Sequence, residues 1–565
     1  MSIRESRFGR LVQHFFAGFL DNDLISSPET GMHAAFTQIL GLVAAPGCFY
    51  CLLMLLKYAA VDYPEREIIT WPDKILFIGF SMILAGLLSV IEWDALFPDR
   101  RDYQVLVPLP ITTRLLFAAK LSSVLLLLGI LWAAVNLGPA VMFPAIVGSV
   151  TKSSFDYGRF VAGHIIATFA ACSFVFLFFV GLQGIMLNIL SPKWFRRLSV
   201  YIQLATVLAL VLLFLLMPML LFSVTARVHG NDPWMYAFPP FWFLGLYQEL
   251  MGRGSPVFSP LAKVAVAAIT VCAAVAALAY WISYRRHMKR LLESLEPGRS
   301  GPGFMARLAA VLLNHFVLTH PLERGCFQFI RLTLLRSRVH RLLMAAYVGV
   351  GLALVLGSAA VILRYSAGGR PVPAVLSVQL VLSFFVVSGM RFAFTVPAEL
   401  NANWLFQAAE PSETARCRAG VRRAMLALAI YPVLLGLLPA HVLLWGWRVA
   451  GAHLAYGLVL SALLVELLLL NFDKIPFTCT YLPGKANVKG FWPVYLAAYW
   501  MYAHYMAKVE YRLLDRPASF ALVLSAIAAL TVLLRWLRLR QLGPDFRFLF
   551  EDLPDPAVRT LDITH

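Results

Sequence analysis

Residues 94–121, DALFPDRRDYQVLVPLPITTRLLFAAKL, stand between two long apolar runs and decide how the rest of the chain is read. Asp94, Asp99, Arg100, Arg101 and Asp102 cannot sit in hydrocarbon, where each charge costs roughly 2.5 to 3.5 kcal/mol at the centre of a span. The stretch therefore lies outside the bilayer. Pro98, Pro108 and Pro110 each remove a backbone donor, which predicts a short helix over 101–107, a break, and a new helix from Thr112. Thr112 or Thr113 is the expected N-cap of that second helix.

Composition sets the class. The 565 residues are 60% hydrophobic and only 14% charged, with a mean hydropathy of +0.75, far from the roughly 25% charged residues of soluble domains. This predicts an all-α integral membrane protein. The net charge of +18 does not point to nucleic acid, because Lys and Arg fall in short clusters at the ends of apolar runs and form no continuous basic stripe. Topogenic charge explains them. The seven cysteines are scattered, and the one close pair in sequence, Cys48 and Cys51, lies inside an apolar run. That spacing reads as two buried thiols in a helix.

A span needs about 20 apolar residues to cross roughly 30 Å, and on that measure there are about twelve candidates. In the first half they fall near 36–60, 74–92, 116–144, 160–190, 199–224 and 262–284; in the second, near 341–363, 374–395, 420–445, 453–472, 491–508 and 518–535. The weakest is 491–508, diluted by Trp, Tyr and His504. Before the first span, Phe8, Leu11, Val12, Phe15, Phe16, Phe19 and Leu20 recur at helical spacing with Arg7, Arg10 and Gln13 opposite, which predicts an amphipathic helix in the membrane surface within 1–35. A helix packed on soluble structure would show the same pattern. Lys and Arg concentrate in the loops near Lys193, Arg196 and Arg197, over 285–290 and over 416–423, so both termini are expected on the cytoplasmic side of a cell (inner) membrane. On this topology Cys326 and Cys417 face inward and should react with an impermeant maleimide from that side only.

The charged turn, the aromatic and aliphatic patch, and "LPITTRLLFAAKL" running into a span together resemble the cytoplasmic loop of ABC-2-type exporter permeases. The resemblance covers roughly the first 285 residues. It implies that a short coupling helix between the second and third spans docks into a separate ATPase subunit: Tyr103, Val105 and Leu106 as anchors in a groove, with Arg100, Arg101 and Asp102 setting register. It also implies a connecting helix before the first span and re-entrant helices on the outer side between the fifth and sixth. Residues 234–250, WMYAFPPFWFLGLYQEL, suit that place, being apolar, aromatic, too short to cross and split by Pro239 and Pro240. A solvated loop between two spans of some other membrane protein would look alike.

A shift of about 301 residues lays span on span for at least the first three of each half and brings Asp102 onto Asn403, Tyr103 onto Trp404 and Pro110 onto Pro411, so the chain reads as two tandem six-helix halves, 36–284 and 341–542, related by an axis along the membrane normal. Residues 399–423 become a second coupling loop, with Trp404 and Phe406 as its aromatic pair. The connection 285–340 is basic, jointed at Pro297, Gly298, Gly301, Pro302 and Gly303, and carries two amphipathic stretches, one through Arg307, Leu308, Val311, Leu312 and Phe316, one through Phe327, Ile330, Leu334 and Leu335. The tail 543–565 reads as polar and mobile.

No GxxxxGK[ST] loop, HExxH pair or GxSxG elbow occurs in the sequence, so no cofactor is expected in this chain, and an ATP-driven role needs ATP bound by a partner. Arg391 and Glu466, within spans at similar depth, are candidates for an ion pair; snorkelling and a proton or substrate role are the alternatives. His164, Gln183, Asn188 and His504 read as interhelical hydrogen-bond partners. The leading expectation is the permease subunit of an ABC-type exporter for a hydrophobic or lipid-like substrate. The alternative is a secondary transporter of two parallel six-helix halves.

Overall fold

A chain this apolar satisfies its backbone in hydrocarbon only as helices or a closed barrel, and in the computed structural model every regular element among the described residues is a helix. The structure describes residues 7–20, 32–59, 66–93, 112–148, 156–293, 320–358, 371–398, 403–408, 414–470, 472, 474–479, 488–541 and 548. The chain divides into two compact units, Met1–Gly298 and Arg299–His565.

Unit 1 contains α1 (Arg7–Leu20), α2 (Met32–Ala59), α3 (Arg66–Ile91), α4 (Thr113–Gly148), α5 (Tyr157–Ile189), α6 (Pro192–Leu221), α7 (Val224–His229), α8 (Pro239–Leu250) and α9 (Phe258–Glu293). Its hub is α3, which packs against α4, α5, α6, α7 and α8. The helix α4 begins where the prolines end: the Thr112 hydroxyl accepts from Leu115 N at 3.4 Å, making Thr112 the cap. At 36 residues and about 1.5 Å per residue, α4 is longer than a hydrocarbon core is thick. Its first turns carry α1, whose Leu11 and Phe15 bury against Leu116 and Ala119 while the Lys120 ammonium lies 5.2 Å from the Phe15 ring. The amphipathic face of α1 thus has a packing partner at the base of α4.

The aromatic stretch 234–250 forms a 3₁₀ turn, Pro233–Tyr236, and then α8. Trp234 and Tyr236 are exposed, whereas Phe241, Phe243, Leu244 and Tyr247 are buried between α3, α5 and α9. One face of α8 is therefore core.

Unit 2 contains α10 (Pro321–Arg336), α11 (Arg338–Gly357), α12 (Pro373–Ala393), α13 (Asn403–Ala408), α14 (Thr414–Met425), α15 (Tyr431–Leu468), α16 (Val488–Tyr499), α17 (Met506–Leu513) and α18 (Pro517–Gln541). Five-residue and six-residue π turns, Leu426–Ile430 and Trp500–Tyr505, join α14 to α15 and α16 to α17 without a break. Here the hub is α12, packed against α11, α15, the second π turn and α17.

Ten helices are long and apolar enough to cross a membrane among the described residues, against about twelve expected. The candidates 420–445 and 453–472 fall within one helical run, Ala415–Leu468. That run is not straight. Gly446 has φ 77° and ψ 168°, a left-handed conformation that glycine tolerates. In a continuous helix His441 and His453 would be about 18 Å apart, yet their rings are 4.7 Å apart. The run folds back at Gly446 into two antiparallel arms. The candidate 491–508 runs through α16 and the second π turn into the start of α17 and is not among the ten.

Of the two amphipathic stretches expected in the connection, the first lies outside the described residues. The second is α10, which buries Glu323, Phe327, Ile330 and Thr333 against α14. Leu335, expected on that face, is exposed. Contact is close at Gly420, where a Cβ would fall 2.6 Å from the Glu323 carbonyl oxygen and 3.0 Å from Cys326 Cβ. Cys326 and Cys417 are disulfide-bonded across the same junction, with Cα atoms 5.8 Å apart, and Arg423 pairs with Glu323. The expectation of scattered single thiols fails here, because the pair is 91 residues apart in sequence. It also alters the labelling expected from topology: a maleimide needs the bond reduced first. Gly420→Ala should cost about 1 to 3 kcal/mol, since the clashing atoms include backbone that cannot rotate away. Both the unfolding midpoint of the purified chain and the fraction of Cys326–Cys417 bond recovered on non-reducing gels should fall.

The tail has one described residue, Phe548, buried against Cys417 and Ile475. At that point it is tied down and not mobile.

Candidate functional site

Arg100, Arg101, Asp102, Tyr103, Val105 and Leu106, expected to form the first coupling loop, lie outside the described residues, whereas Trp404 and Phe406, expected in the second, are described. Trp404 and Phe406 sit on the short helix α13, with Phe406 half-buried, 5.1 Å from Phe329 of α10, and Trp404 66% exposed. Asn403 Nδ2 donates to the Thr478 carbonyl at 2.6 Å. Thr478 belongs to residues 474–479, where Phe477 is a buried residue held at φ 67° between Phe329, His340 and Phe394. A bulky side chain at positive φ persists only where its surroundings over-determine it. This base is therefore rigid, and Trp404 faces solvent beside it.

Arg391 and Glu466 do not meet as an ion pair. Glu466 is engaged by Arg422, while Arg391 donates from Nε to the Leu468 carbonyl at 2.9 Å and lies 4.5 Å from the Phe472 ring. Arg422 belongs to α14, and its long side chain reaches down to the carboxylate. Both residues line a small cleft of about 30 Å³ with Arg418, Arg535 and Arg538.

Unit 1 contains a cavity of about 770 Å³ between α2, α3 and α6, within the size range of ligand sites. Its walls are apolar, including Pro46, Leu76, Phe80, Phe214, Met217 and Leu221. One polar cluster stands in it. Asp73, 1% exposed, accepts from Tyr50 Oη at 2.7 Å, Tyr58 Oη at 2.5 Å and Lys57 Nζ at 2.8 and 2.7 Å. With its oxygens so occupied, Asp73 serves as a fixed counter-ion and not as a general base. Lys57 is the cation a ligand in this cavity can reach, because its side chain remains 38% exposed.

Behind this wall Lys74 is fully buried, with its ammonium 5.0 Å from the Phe160 ring, 4.9 Å from the Tyr247 ring and 3.4 Å from Gln248 Oε1. His164 Nδ1 lies 3.3 Å from Tyr247 Oη. These contacts anchor α8 to α3 and α5. Asn188 bonds the Ala279 carbonyl at 2.8 Å and Gln183 bonds that of Trp93, both between helices, whereas His504 meets Tyr499 within its own helical run.

Sequence reasoning missed Lys57 and Asp73, and also a buried histidine and carboxylate in unit 2, His453 and Glu510. Lys57 and Asp73 lie at the ends of predicted spans, where charges read as loop; Glu510 falls in a predicted connection. The usable signal was modest: a Lys at the end of one apolar run and an Asp opening the next. Among the described residues no group of His, Cys, Asp or Glu is placed to hold a metal ion. Compared with family models, with curated proteins and with solved structures, the chain matches none.

Proposed function

We propose that this chain is the membrane-spanning permease subunit of an ABC-type exporter, built of two six-helix halves and served by a separate ATPase subunit. The observation that carries the reading is the pairing of surface helix with long helix. In unit 1, α1 packs on the head of α4, directly after residues 94–111; in unit 2, α10 packs on α14, directly after the loop bearing α13. A helix braced in this way transmits a push on the preceding loop to the whole unit. The fold-back at Gly446, which divides Ala415–Leu468 into two arms, and the continuous run from Val488 to Leu513 support twelve spans. The cavity beside Lys57 supports an amphiphilic, lipid-like substrate, whose chain meets the apolar walls while an anionic or polar head meets the ammonium.

Co-purification of an ATPase subunit with the chain tests the docking. Buried aromatic anchors contribute about 2 kcal/mol or more to an interface, exposed charges about 0 to 1. Tyr103→Ala and Trp404→Ala should each lower ATPase recovery more than Arg100→Ala, with membrane levels of the chain unchanged. Full recovery with both aromatic variants would make the loops mere connectors.

One observation favours a second reading, a secondary transporter. Such a protein needs buried carboxylates to couple ions, and both Asp73 and Glu510 are buried. Transport that persists without ATP hydrolysis and stops when an ion gradient is collapsed would select it.

A further inference from the structure

Unit 2 buries an acid against a base. Glu510 of α17 and His453 of the second arm of α15 are both fully buried, with Oε1 2.7 Å from Nδ1. The other carboxylate oxygen and the imidazole Nε2 meet no hydrogen-bond partner among the described residues. Gln379 of α12 donates to the His453 carbonyl at 2.8 Å, and its own Oε1 is likewise unmatched.

The titratable groups facing the pair are few. From the first arm of α15 comes His441, edge-on at 4.7 Å, stacked on Trp445. From the second arm comes Tyr456, whose hydroxyl is turned to the Met506 carbonyl at 3.1 Å. The π turn contributes Tyr502, bonded to Ser461 at 2.9 Å. From α12 comes Gln379, which does not titrate. The helix α18 brings Phe520 against Tyr456, and its Arg535 and Arg538 lie by Arg422 and Glu466 instead.

The pair has three levels of protonation. With no proton it is a buried anion, with two a buried cation, and with one it is neutral overall. An uncompensated buried charge costs several kcal/mol, so the packed pair holds one proton over a wide range of pH. Stability alone does not account for it, since apolar residues of similar volume commonly replace a buried ion pair without loss. Once the arms of α15 part from α12 and α17 and water enters, the carboxylate returns to about 4.3 and the imidazole to about 6.5. Above neutral pH the proton then leaves to solvent and the groups remain as imidazole and carboxylate.

We propose that His453 and Glu510 form a binding site for one proton, held while the folded-back helix is packed and released when it opens. Such a site gives unit 2 a proton-linked conformational equilibrium. Proton binding here is independent of export; only its placement toward the outer face, about 10 Å along the arm from Gly446, rests on that reading.

Reversible chemical unfolding of the full chain in mixed micelles, followed from pH 4.5 to 9, tests it by linkage. A proton bound in the folded state and absent from the unfolded one lowers stability as pH rises, tenfold in the unfolding constant per pH unit. For the wild type this slope should begin near the unfolded histidine value, about 6.5. Glu510→Gln leaves a neutral imidazole beside a neutral amide, so its curve should lack that slope, and the ratio of wild-type to variant unfolding constants should grow about tenfold per unit above pH 7. His453→Gln leaves a carboxyl that must carry its own proton, so its slope should already run between pH 4.5 and 6.5, where the wild type is flat relative to it. Parallel wild-type and Glu510→Gln curves above pH 7 overturn the proposal. Should Glu510→Gln not fold, parallel wild-type and His453→Gln curves below pH 6.5 overturn it equally.

Discussion

Lys57→Ala is expected to destabilise unit 1 by about 3 kcal/mol, measured as a shift of the thermal or chemical unfolding midpoint of the purified chain. Removing one member of a buried pair strands the other, which typically costs 3 to 5 kcal/mol. The lower figure applies because Lys57 is itself 38% exposed and partly screened by solvent. Asp73 has no such relief at 1% exposure, and two neutral tyrosine hydroxyls do not compensate a full charge. The double change Lys57→Met with Asp73→Asn removes the stranded charge and should recover most of the loss. If the double variant is no more stable than Lys57→Ala, the carboxylate is not what makes the single change costly. Asp73→Asn alone keeps both tyrosine contacts and leaves a partly hydrated ammonium, so it should be milder than Lys57→Ala.

The second large effect is expected at Gly245, where α8 crosses α9. A Cβ at this position would fall 2.6 Å from Leu261 Cβ, 2.7 Å from the Phe258 carbonyl oxygen and 2.8 Å from Ala262 N. Two of those atoms are backbone and cannot rotate aside, so α8 has to be displaced. Overpacking costs typically 1 to 3 kcal/mol. Gly245→Ala should lie in that range and Gly245→Val above it. Displacing α8 also withdraws Tyr247 and Gln248 from Lys74, so both variants should lose thermal stability. An unshifted midpoint for Gly245→Val would mean that α8 and α9 are not this close in the protein.

What could be read from sequence divides along the range of the interactions. The α1 face was legible because Leu11 and Phe15 lie four positions apart on one helix, and the Thr112 cap because it follows two prolines; both are local signals. Helical class and the long apolar runs followed from composition. Pairings across the fold were not legible. Arg391 and Glu466 share a depth, but depth does not give azimuth, and Arg422 on a third helix reached the carboxylate first. Lys57 and Asp73 were hidden by their place at span ends, where a charge is normally solvated. Glu510 was read as part of a connection because Lys508, Arg512 and Asp515 around it are polar, yet one face of that short helix turns inward. The Cys326–Cys417 bond lacked any spacing signal at all. Phe548 illustrates the same limit: a single aromatic residue in an acidic tail carries no local clue to its burial.

The fold-back at Gly446 bears on how the protein is made. Its two arms are joined by one glycine in the left-handed conformation, with Arg448 as the sole charged residue beside the turn. A hydrophilic connection normally lets one span be threaded and released before the next is recognised, and here there is almost none to thread. The arms are therefore best inserted together as a single wedge, whose first arm has no stable resting place until the second is synthesised. Lengthening this junction with polar residues would convert joint insertion into sequential insertion, and a nascent chain arrested between the arms should remain extractable from the membrane until the second arm emerges.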